Sequence, residues 1–380
     1  MRICLIGPAY PFRGGLAHHT TLLYRHLRQR HHVAFYTFKR QYPQWLFPGA
    51  TDRDTSHAPL KEEGIDNLLD SCNPLTWWRV GQHVRRRRAD LTIMPWWTSF
   101  WTPQFFTIAT VIKRRPATPI LFICHNVVDH ESHSFSRLCT RAVLSKGDYF
   151  LVHSEGDGNR LRALVPGARI THAFHPIYDF FSAGTMPKAE AKQRLRLQGE
   201  IILFFGFIRP YKGILDLLHA MPLIRRDRNI TLLVVGEFWG DKGAFDRLIK
   251  ELKLETAVRV IAEYVPNEEV GLYFSAADLV VLPYRSGTGS GIMQIACGLE
   301  KPVVATRVGS LPEVVEDGRT GFLVNPGDPE ALARAVVRYF AEAKEAEFVE
   351  NIRKTKERFS WERLVQLIEA AVTTVPRSAL

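Results

Sequence analysis

Residues 201–213 read Ile-Ile-Leu-Phe-Phe-Gly-Phe-Ile-Arg-Pro-Tyr-Lys-Gly, and this stretch decides the fold class. Its first five residues are an apolar run typical of a buried β-strand, which Gly206 ends. Two cations, Arg209 and Lys212, follow the strand, and an apolar pattern with helical spacing begins after Gly213. A helix N-terminus with cations beside it is suited to bind a phosphate or diphosphate. A solvated Arg and Lys on an ordinary loop is an equally good interpretation of this stretch alone.

The same alternation of strand and helix patterns runs through the whole chain. Apolar runs typical of strands occur at 3–6, 33–37, 91–94, 120–124, 149–153, 201–205, 231–235, 258–261, 279–282, 302–306 and 321–324. Helical patterns occur between several of them and at the end of the chain, at 20–30, 77–88, 330–340 and 361–372. Such alternation predicts parallel sheets with helices on both faces. The polar span 39–70 is predicted to be an irregular surface excursion.

The pattern loosens around residues 171–188, which include two prolines and a glycine. We therefore predict an α/β protein of two Rossmann-like, doubly wound domains, 1–180 and 190–358. Residues 359–380 are predicted to form a C-terminal helix.

The length, composition and charge of the chain restrict the cellular location and the partners that the protein is expected to have. The chain has 380 residues, and no apolar run is long enough to span a membrane. Its N-terminus reads as a first strand rather than a signal peptide. Five scattered cysteines without a C-x-x-C spacing predict free thiols in a reducing cytoplasm. The net charge of +11 predicts an anionic partner, either a phosphorylated substrate, a phospholipid surface or a nucleic acid.

Candidate site residues follow the predicted strands, because ligands of doubly wound sheets bind beyond the carboxyl ends of the strands. In the first half these candidates are Gly14, Gly15, His125, Asn126, Ser154 and Glu155, and in the second half they are Arg209, Lys212, Gly236, Glu237, Glu263, Tyr264 and the loop 286–291. Each has a plain alternative as a turn, a strand cap or a solvated side chain. The first strand is not followed by G-x-G-x-x-G, and no P-loop motif occurs, which disfavours a dinucleotide-binding enzyme and a P-loop nucleotidase.

A set of ordered motifs resembles a known family. The motifs are Gly14-Gly-Leu-Ala17, Gly206-Phe-Ile-Arg-Pro-Tyr-Lys-Gly213, Val234-Val-Gly236, Tyr264-Val-Pro266, Ala276-Ala-Asp-Leu-Val-Val-Leu-Pro-Tyr284, Lys301-Pro-Val-Val-Ala-Thr306, Gly309-Ser-Leu-Pro-Glu313 and Asp317-Gly-Arg-Thr-Gly-Phe-Leu-Val324. Together they are similar to those of the retaining GT-B glycosyltransferases of family 4. The resemblance is dense over residues 200–340 and thinner over the first half.

The resemblance implies an activity. It implies metal-independent transfer of a sugar from a UDP- or GDP-linked donor, without a cofactor, in a cleft between an acceptor-binding first domain and a donor-binding second domain. It implies that His125 contacts the donor sugar and that Arg209 and Lys212 neutralise the diphosphate as it leaves. The remaining implied donor-binding residues are Gly14, Gly15, Gly236, Glu237, Tyr264, Val265, Ser290, Gly291, Ile292 and Gln294. The C-terminal helix is implied to pack back on the first domain.

One departure from the family concerns two glutamates eight positions apart that usually bind the donor. If the sequence is aligned with the family pattern at Pro302, Gly287 and Ile295 occupy the positions of the two glutamates. If the alignment is shifted by one residue, Ser286 and Gln294 occupy them. Gln294 is expected to bind a ribose hydroxyl as a neutral group. An alternative without turnover, a sugar-nucleotide-binding protein, therefore stays open. Nucleic-acid binding ranks third, because no RNA or DNA motif accompanies the charge, and we predict no nucleic-acid partner.

A cluster of aromatic side chains lies between basic runs in the first half. The aromatics are Trp96, Trp97, Phe100, Trp101, Phe105 and Phe106, and the flanking cations are Arg85–Arg88 and Lys113–Arg115. Packing in the core is the plain interpretation. The alternative, which we favour, is an acceptor-recognition patch for a glycan or lipid-linked acceptor in cell-surface polysaccharide assembly, with peripheral contact to an anionic inner membrane.

Overall fold

A computed structural model describes residues 1–47, 49–114, 118–127 and 134–373. The chain divides into two compact units, each with its own parallel sheet. Unit 1 contains residues 1–55, 59–174 and the chain from Ser360 onward, and unit 2 contains residues 56–58 and 175–359.

Unit 1 is built on a seven-stranded parallel sheet. Its strands are β1 (Arg2–Ile6), β2 (His32–Arg40), β3 (Ile65–Asp70), β4 (Leu91–Trp96), β5 (Ile120–Cys124), β6 (Tyr149–Val152) and β7 (Ile170–His172), in the order β3-β2-β1-β4-β5-β6-β7. Its helices are α1 (Gly15–Leu27), α2 (Pro74–Arg87), α3 (Thr102–Ile112), α4 (Ser134–Leu144) and α5 (Glu155–Leu164). The connections that contain α2 to α5 all progress in one direction along the sheet, whereas α1 connects in the other. Right-handed crossovers therefore place α1 on one face and α2 to α5 on the other.

Unit 2 repeats this architecture with six strands. They are β8 (Glu200–Phe205), β9 (Ile230–Val235), β10 (Val258–Ile261), β11 (Leu279–Leu282), β12 (Val303–Thr306) and β13 (Gly321–Val324), in the order β10-β9-β8-β11-β12-β13. The helices are α6 (Lys188–Arg194), α7 (Ile214–Asp227), α8 (Lys242–Glu251), α9 (Asn267–Ala276), α10 (Gly291–Gly298), α11 (Leu311–Val314), α12 (Pro329–Ala341) and α13 (Glu345–Thr355). The predicted fold of two doubly wound parallel sheets is confirmed.

The last helix, α14 (Trp361–Thr373), belongs to unit 1. Its buried residues are Trp361, Leu364, Val365 and Ile368. The indole of Trp361 stacks on His26 of α1, with ring centroids 5.5 Å apart and an interplanar angle of 6°. The chain therefore returns to its first unit after completing the second. None of the helices in the described ranges has the length and apolar character needed to cross a bilayer.

Two strands were missed by the sequence prediction. The span 39–70 was predicted to be irregular, but its last six residues form β3, which pairs in parallel with β2. The short strand β7 was also absent from the prediction. Both lie at the edges of the sheet of unit 1 and are only partly buried. An edge strand tolerates polar residues, so neither segment carries the apolar run that identified the central strands.

The aromatic patch predicted for acceptor recognition is largely core. Trp96, Trp101 and Phe105 are at most 1% exposed and belong to the apolar core of unit 1. Two more aromatics, Trp97 and Phe100, pack partly buried against that core. Only Phe106 is substantially exposed, at 39%. The favoured interpretation of these aromatics was therefore wrong, and the plain one is correct. Of the flanking cations, Arg115 lies outside the described residues.

Candidate functional site

The loop after β8 carries the two cations singled out from the sequence. Gly206 ends the strand with a φ of +96°, and a single 3-10 turn spans Pro210–Lys212. Gly213 then caps α7 with a φ of +70°. A Cβ at Gly213 would lie 1.8 Å from the carbonyl oxygen of Pro283, so only glycine allows this backbone to approach the end of β11. This close approach fixes Lys212 at the carboxyl edge of the sheet.

Lys212 is buried in this loop, with an exposure of 8%. Burial, and then the nearby charge of Arg209, lowers the pKa of its ammonium group to about 7. The Nζ atom lies 5.6 Å from the centre of the Tyr284 ring, and 3.4 Å from the position that a Cβ would take at Gly206. Neither Arg209 nor Lys212 forms an ion pair with any residue in the described ranges. Two neighbouring cations that pair with no carboxylate among the described residues form a site suited to an anion.

Arg209 lies on an aromatic stack. Its guanidinium carbon is 4.3 Å from the ring centre of Trp239, a cation–π contact. The indole of Trp239 stacks on Phe207 at 4.3 Å, and Phe207 lies 6.2 Å from Tyr264. The loops after β8, β9 and β10 are joined by this stack. It brings the predicted residue Tyr264 to the same edge as Arg209.

The glycine-rich loop before α10 completes this edge. The Ser290 side chain caps the helix by accepting a hydrogen bond from the Met293 N–H at 3.2 Å, and it lies 3.1 Å from the Tyr284 hydroxyl. The side chain of Ile292 comes within 3.0 Å of the position that a Cβ would occupy at Gly206. The predicted residues Ser290, Gly291 and Ile292 therefore lie at the start of a helix beside the end of β8. The first N–H groups of α10 lie at that start.

Gln294 lies one turn further along α10 and is 2% exposed. Its Oε1 atom is buried and has no hydrogen-bond partner among the residues that the structure describes. A buried amide oxygen without a partner costs about 1–3 kcal/mol, which a hydroxyl donor from a ligand would recover.

The remaining predicted residues of unit 2 have clear packing roles. A Cβ at Gly236 would lie 2.1 Å from the Gly206 carbonyl oxygen, so this glycine allows the ends of β8 and β9 to meet. The Glu237 carbonyl accepts the N–H of Ile208 at 2.9 Å. Val265 is 7% exposed. The contacts of Gly236 and Glu237 shape the edge, and donor binding by these three residues stays a prediction.

One ion pair in unit 2 escaped the sequence prediction. Arg285, at the start of the glycine-rich loop, donates to both carboxylate oxygens of Asp216 in the first turn of α7, at 2.7 and 2.5 Å. The Arg285 N–H also donates to the Tyr211 carbonyl at 2.7 Å. The loop is thereby tied to the segment that carries Lys212. A single Asp in a helical pattern gave no sequence signal for this pairing.

Unit 1 holds the other predicted residues. Gly14 has a φ of +103° and precedes α1, and Gly15 is the exposed first residue of that helix. His125 directly follows β5, and its N–H donates to the Trp96 carbonyl at 2.8 Å. Ser154 caps α5, because its hydroxyl accepts the Asp157 N–H at 3.0 Å. The plain interpretation therefore accounts for Ser154.

His125 is grouped with two histidines that the sequence prediction did not single out. The ring centroid of His19 lies 4.6 Å from that of His125, and the centroid of His153 lies 5.2 Å from it. His19 comes from α1 and His153 directly follows β6. The adjacent strands β5 and β6 pair Cys124 with Val152, so the next residues of the two strands, His125 and His153, stand side by side. His153 could have been found by noting that it ends a predicted strand.

The chain matches the family model described as "Glycosyl transferases group 1" over residues 199–342. That range contains the loop after β8, the aromatic stack and the glycine-rich loop. The match covers less than half of the chain, and over these residues the chain is similar to the group 1 glycosyl transferases. The resemblance inferred from the ordered motifs is confirmed.

Several curated relatives of this chain are D-inositol 3-phosphate glycosyltransferases. The protein from Corynebacterium urealyticum is 28% identical over 267 residues, which cover 63% of this chain and 60% of that protein. The protein from Streptomyces avermitilis is 30% identical over 205 residues, which cover 52% of this chain and 42% of that protein. The aligned regions thus span roughly half the length of these curated relatives.

Solved structures with the GT-B fold resemble this chain over nearly its full length. Sucrose-phosphate synthase from Thermosynechococcus elongatus has a TM-score of 0.72 at 20% identity, and the match covers 98% of this chain and 100% of that one. Anabaena Alr3699/HepE, solved in complex with UDP and glucose, has a TM-score of 0.74 at 17% identity, with 99% and 100% covered. At these identities the similarity establishes the fold.

Proposed function

We propose that the protein is a retaining glycosyltransferase that moves a sugar from a UDP- or GDP-linked donor to a glycan or lipid-linked acceptor. The observation that carries the proposal is the pair Arg209 and Lys212. Both lie at the carboxyl edge of a group 1 domain, without an ion-pair partner in the described chain and beside the start of α10. The names of the relatives and the UDP complexes of Alr3699/HepE support this donor class.

In the proposed reaction the bond between the sugar C1 and the diphosphate oxygen breaks, and the electron pair stays on that oxygen. Arg209 and Lys212 stabilise the negative charge that develops there, so the step needs no metal ion. The acceptor hydroxyl forms the new bond to C1, and its proton passes to the departing phosphate or to water. Gln294 is proposed to accept a hydrogen bond from a ribose hydroxyl through Oε1, and His125 is proposed to contact the donor sugar.

A donor screen followed by a transfer assay tests the proposal. A matching UDP- or GDP-sugar raises the melting temperature, because a ligand that binds only the native state stabilises it. Release of nucleoside diphosphate that depends on an acceptor, in the presence of EDTA, then supports metal-independent transfer, and the anomeric configuration of the product is read by NMR. Tight donor binding without transfer or hydrolysis would favour a sugar-nucleotide-binding protein instead.

The acceptor is proposed to be lipid-linked, and unit 1 is proposed to contact an anionic membrane through a surface that shares only Phe106 with the aromatic cluster of the sequence prediction. We call this surface the outer face of α2 to α4. Its exposed apolar side chains are Leu75, Trp78, Phe106, Phe135 and Leu138. Its cations include Arg79, Arg86, Arg137 and Arg141, which are exposed, and Lys146, whose Nζ lies 5.2 Å from the centre of the Phe106 ring. Apolar anchors among cations favour an anionic bilayer surface.

Co-sedimentation with vesicles of phosphatidylcholine, with and without phosphatidylglycerol, tests the outer face of α2 to α4. Binding is expected only with the anionic lipid, and it should weaken as salt rises. The double variant Trp78→Ala, Phe135→Ala is expected to bind less. The control is Trp45→Ala, which removes an equally large side chain, 82% exposed, outside this face. Equal binding by the double variant and the control would refute the assignment.

A further inference from the structure

The three histidines of unit 1 form a compact set of ring nitrogens. One nitrogen from each of His19, His125 and His153 can be chosen so that all lie within 4.8 Å of one another. His19 and His153 are buried, at 0% and 4% exposure, whereas His125 is partly open. Three buried or half-buried imidazoles from three separate elements match the kind of ligand set that an open zinc site uses.

The orientation of His153 fits a ligand role. Its Nδ1 lies 2.9 Å from the Ala173 carbonyl oxygen, so Nδ1 carries the proton and donates it. The ring then keeps its acceptor lone pair on Nε2. A metal-bound histidine is typically oriented in this way, with the other ring nitrogen donating to a carbonyl or carboxylate.

The ring of His19 packs against two other aromatic rings. The ring centroid of His19 lies 5.1 Å from that of Trp361 and 4.6 Å from that of His125. A tetrahedral Zn²⁺ with Zn–N distances of about 2.0–2.1 Å places its ligand nitrogens roughly 3.3 Å apart. Side-chain rotations that move each nitrogen by about an ångström or less would close the set from 4.8 Å to that spacing.

We infer that His19, His125 and His153 bind a divalent transition metal ion, with Zn²⁺ as the best fit, and leave one position open for water or an anion. Imidazole nitrogens favour Zn²⁺, Cu²⁺ and Ni²⁺ over Mg²⁺ or Ca²⁺, which prefer oxygen ligands. The consequence for activity rests on the proposed function. A metal ion on His125 removes that ring from the donor sugar, so Zn²⁺ inhibits a transfer reaction that needs no metal.

Metal binding is tested directly on the full chain after chelator treatment. Calorimetric titration with Zn²⁺ is expected to give one tight site, and Co²⁺ should produce the visible absorption of a tetrahedral nitrogen-ligated ion. The variants His153→Gln and His19→Gln are each expected to weaken Zn²⁺ binding at least tenfold. His219→Ala, which removes an exposed histidine on α7 in unit 2, is the matched control and should leave the tight site unchanged.

Equal Zn²⁺ affinity in both glutamine variants and the control would overturn the site, provided that near-ultraviolet circular dichroism shows all variants folded. In the transfer assay, Zn²⁺ at concentrations that fill the site should inhibit the parent chain, with recovery on adding EDTA, and should not inhibit His153→Gln. Zn²⁺ binding without any transfer activity would refute the proposed function but not the metal site. If sugar transfer persisted while Zn²⁺ filled the site, the inference that the bound metal inhibits transfer would be wrong.

Discussion

At the scale of single residues, Lys212 combines burial with a positive neighbour. Both effects disfavour its charged form and lower its pKa to about 7, against roughly 10.4 for an unperturbed lysine. A diphosphate favours the charged form, so donor binding at a pH above 7 must be accompanied by proton uptake. A residue with this property titrates within the physiological range, where an ordinary lysine does not.

We predict that the affinity for a UDP- or GDP-linked sugar falls as the pH rises above about 7 and is nearly flat just below it. Isothermal titration calorimetry in buffers of different ionisation enthalpy measures both the affinity and the protons taken up. Lys212→Arg is the control, because an arginine stays charged throughout this range and should remove the dependence. Lys212→Met is expected to lower kcat by about 10²–10³-fold. An unchanged pH profile in Lys212→Arg would contradict the assignment.

Trp239 is a positioning residue for Arg209. The guanidinium lies 4.3 Å from the indole centre, and an interaction of this kind contributes about 0.5–2 kcal/mol. Trp239→Ala is therefore expected to weaken donor binding by about 2- to 30-fold, while Trp239→Phe keeps most of the affinity. Donor Kd values for the two variants provide the measurement. A similar loss of donor affinity in both variants would show that the indole does not act through the cation–π contact between its ring face and the Arg209 guanidinium.

The residues at this edge differ in how much the sequence revealed. Arg209 and Lys212 were predicted because they sit between a strand pattern and a helix pattern, a position that local spacing identifies. Trp239, Asp216 and His153 were missed, because their partners are 30, 69 and 20 residues away. Contacts of that separation depend on which strands become neighbours, and periodicity does not report this order.

At the scale of elements, the glycine-rich loop depends on an asymmetric ion pair. The Asp216 side chain is 7% exposed, whereas that of Arg285 is 56% exposed. Removing the arginine leaves a buried carboxylate without its partner, while removing the charge of the aspartate leaves an arginine that water can solvate.

We predict that Arg285→Ala lowers the free energy of unfolding by about 1–3 kcal/mol more than Asp216→Asn does. Urea unfolding followed by fluorescence measures the difference. Arg307→Ala serves as a control, because it removes an arginine of similar exposure whose partner Asp317 is itself 42% exposed. An equal effect of Arg285→Ala and Asp216→Asn would mean that Asp216 is stabilised without Arg285.

Strands with an apolar run were predicted better than strands without one. The strands β5, β10, β11 and β13 were predicted with their exact observed bounds, at 120–124, 258–261, 279–282 and 321–324. The first and third of these are fully buried, and burial on both faces requires a continuous apolar run. The edge strands β3 and β7 carry no such run and were missed, whereas β10 and β13, at the edges of the other sheet, are rich in apolar residues and were found.

At the scale of the whole molecule, unit 1 is completed by the last helix of the chain. Trp361 is 2% exposed and packs against both His19 and His26 of α1. Residues of unit 2 lie between these partners along the chain, so the first unit acquires this part of its core only after the second has been synthesised. The stability of unit 1 should therefore depend on a residue that follows every strand in the part of the chain that the structure describes.

We predict that Trp361→Ala lowers the free energy of unfolding of unit 1 by about 3–5 kcal/mol, the usual cost of truncating a buried tryptophan. Hydrogen exchange followed by mass spectrometry should show faster exchange in α1 and β1, with β8 and β9 unchanged. Trp45→Ala is the control of equal chemistry, since that indole is 82% exposed and should alter neither unit. If hydrogen exchange in β8 and β9 accelerated as much as in α1 and β1, the two units would unfold as one cooperative body. Units that unfold independently would not pass the loss of stability from one to the other.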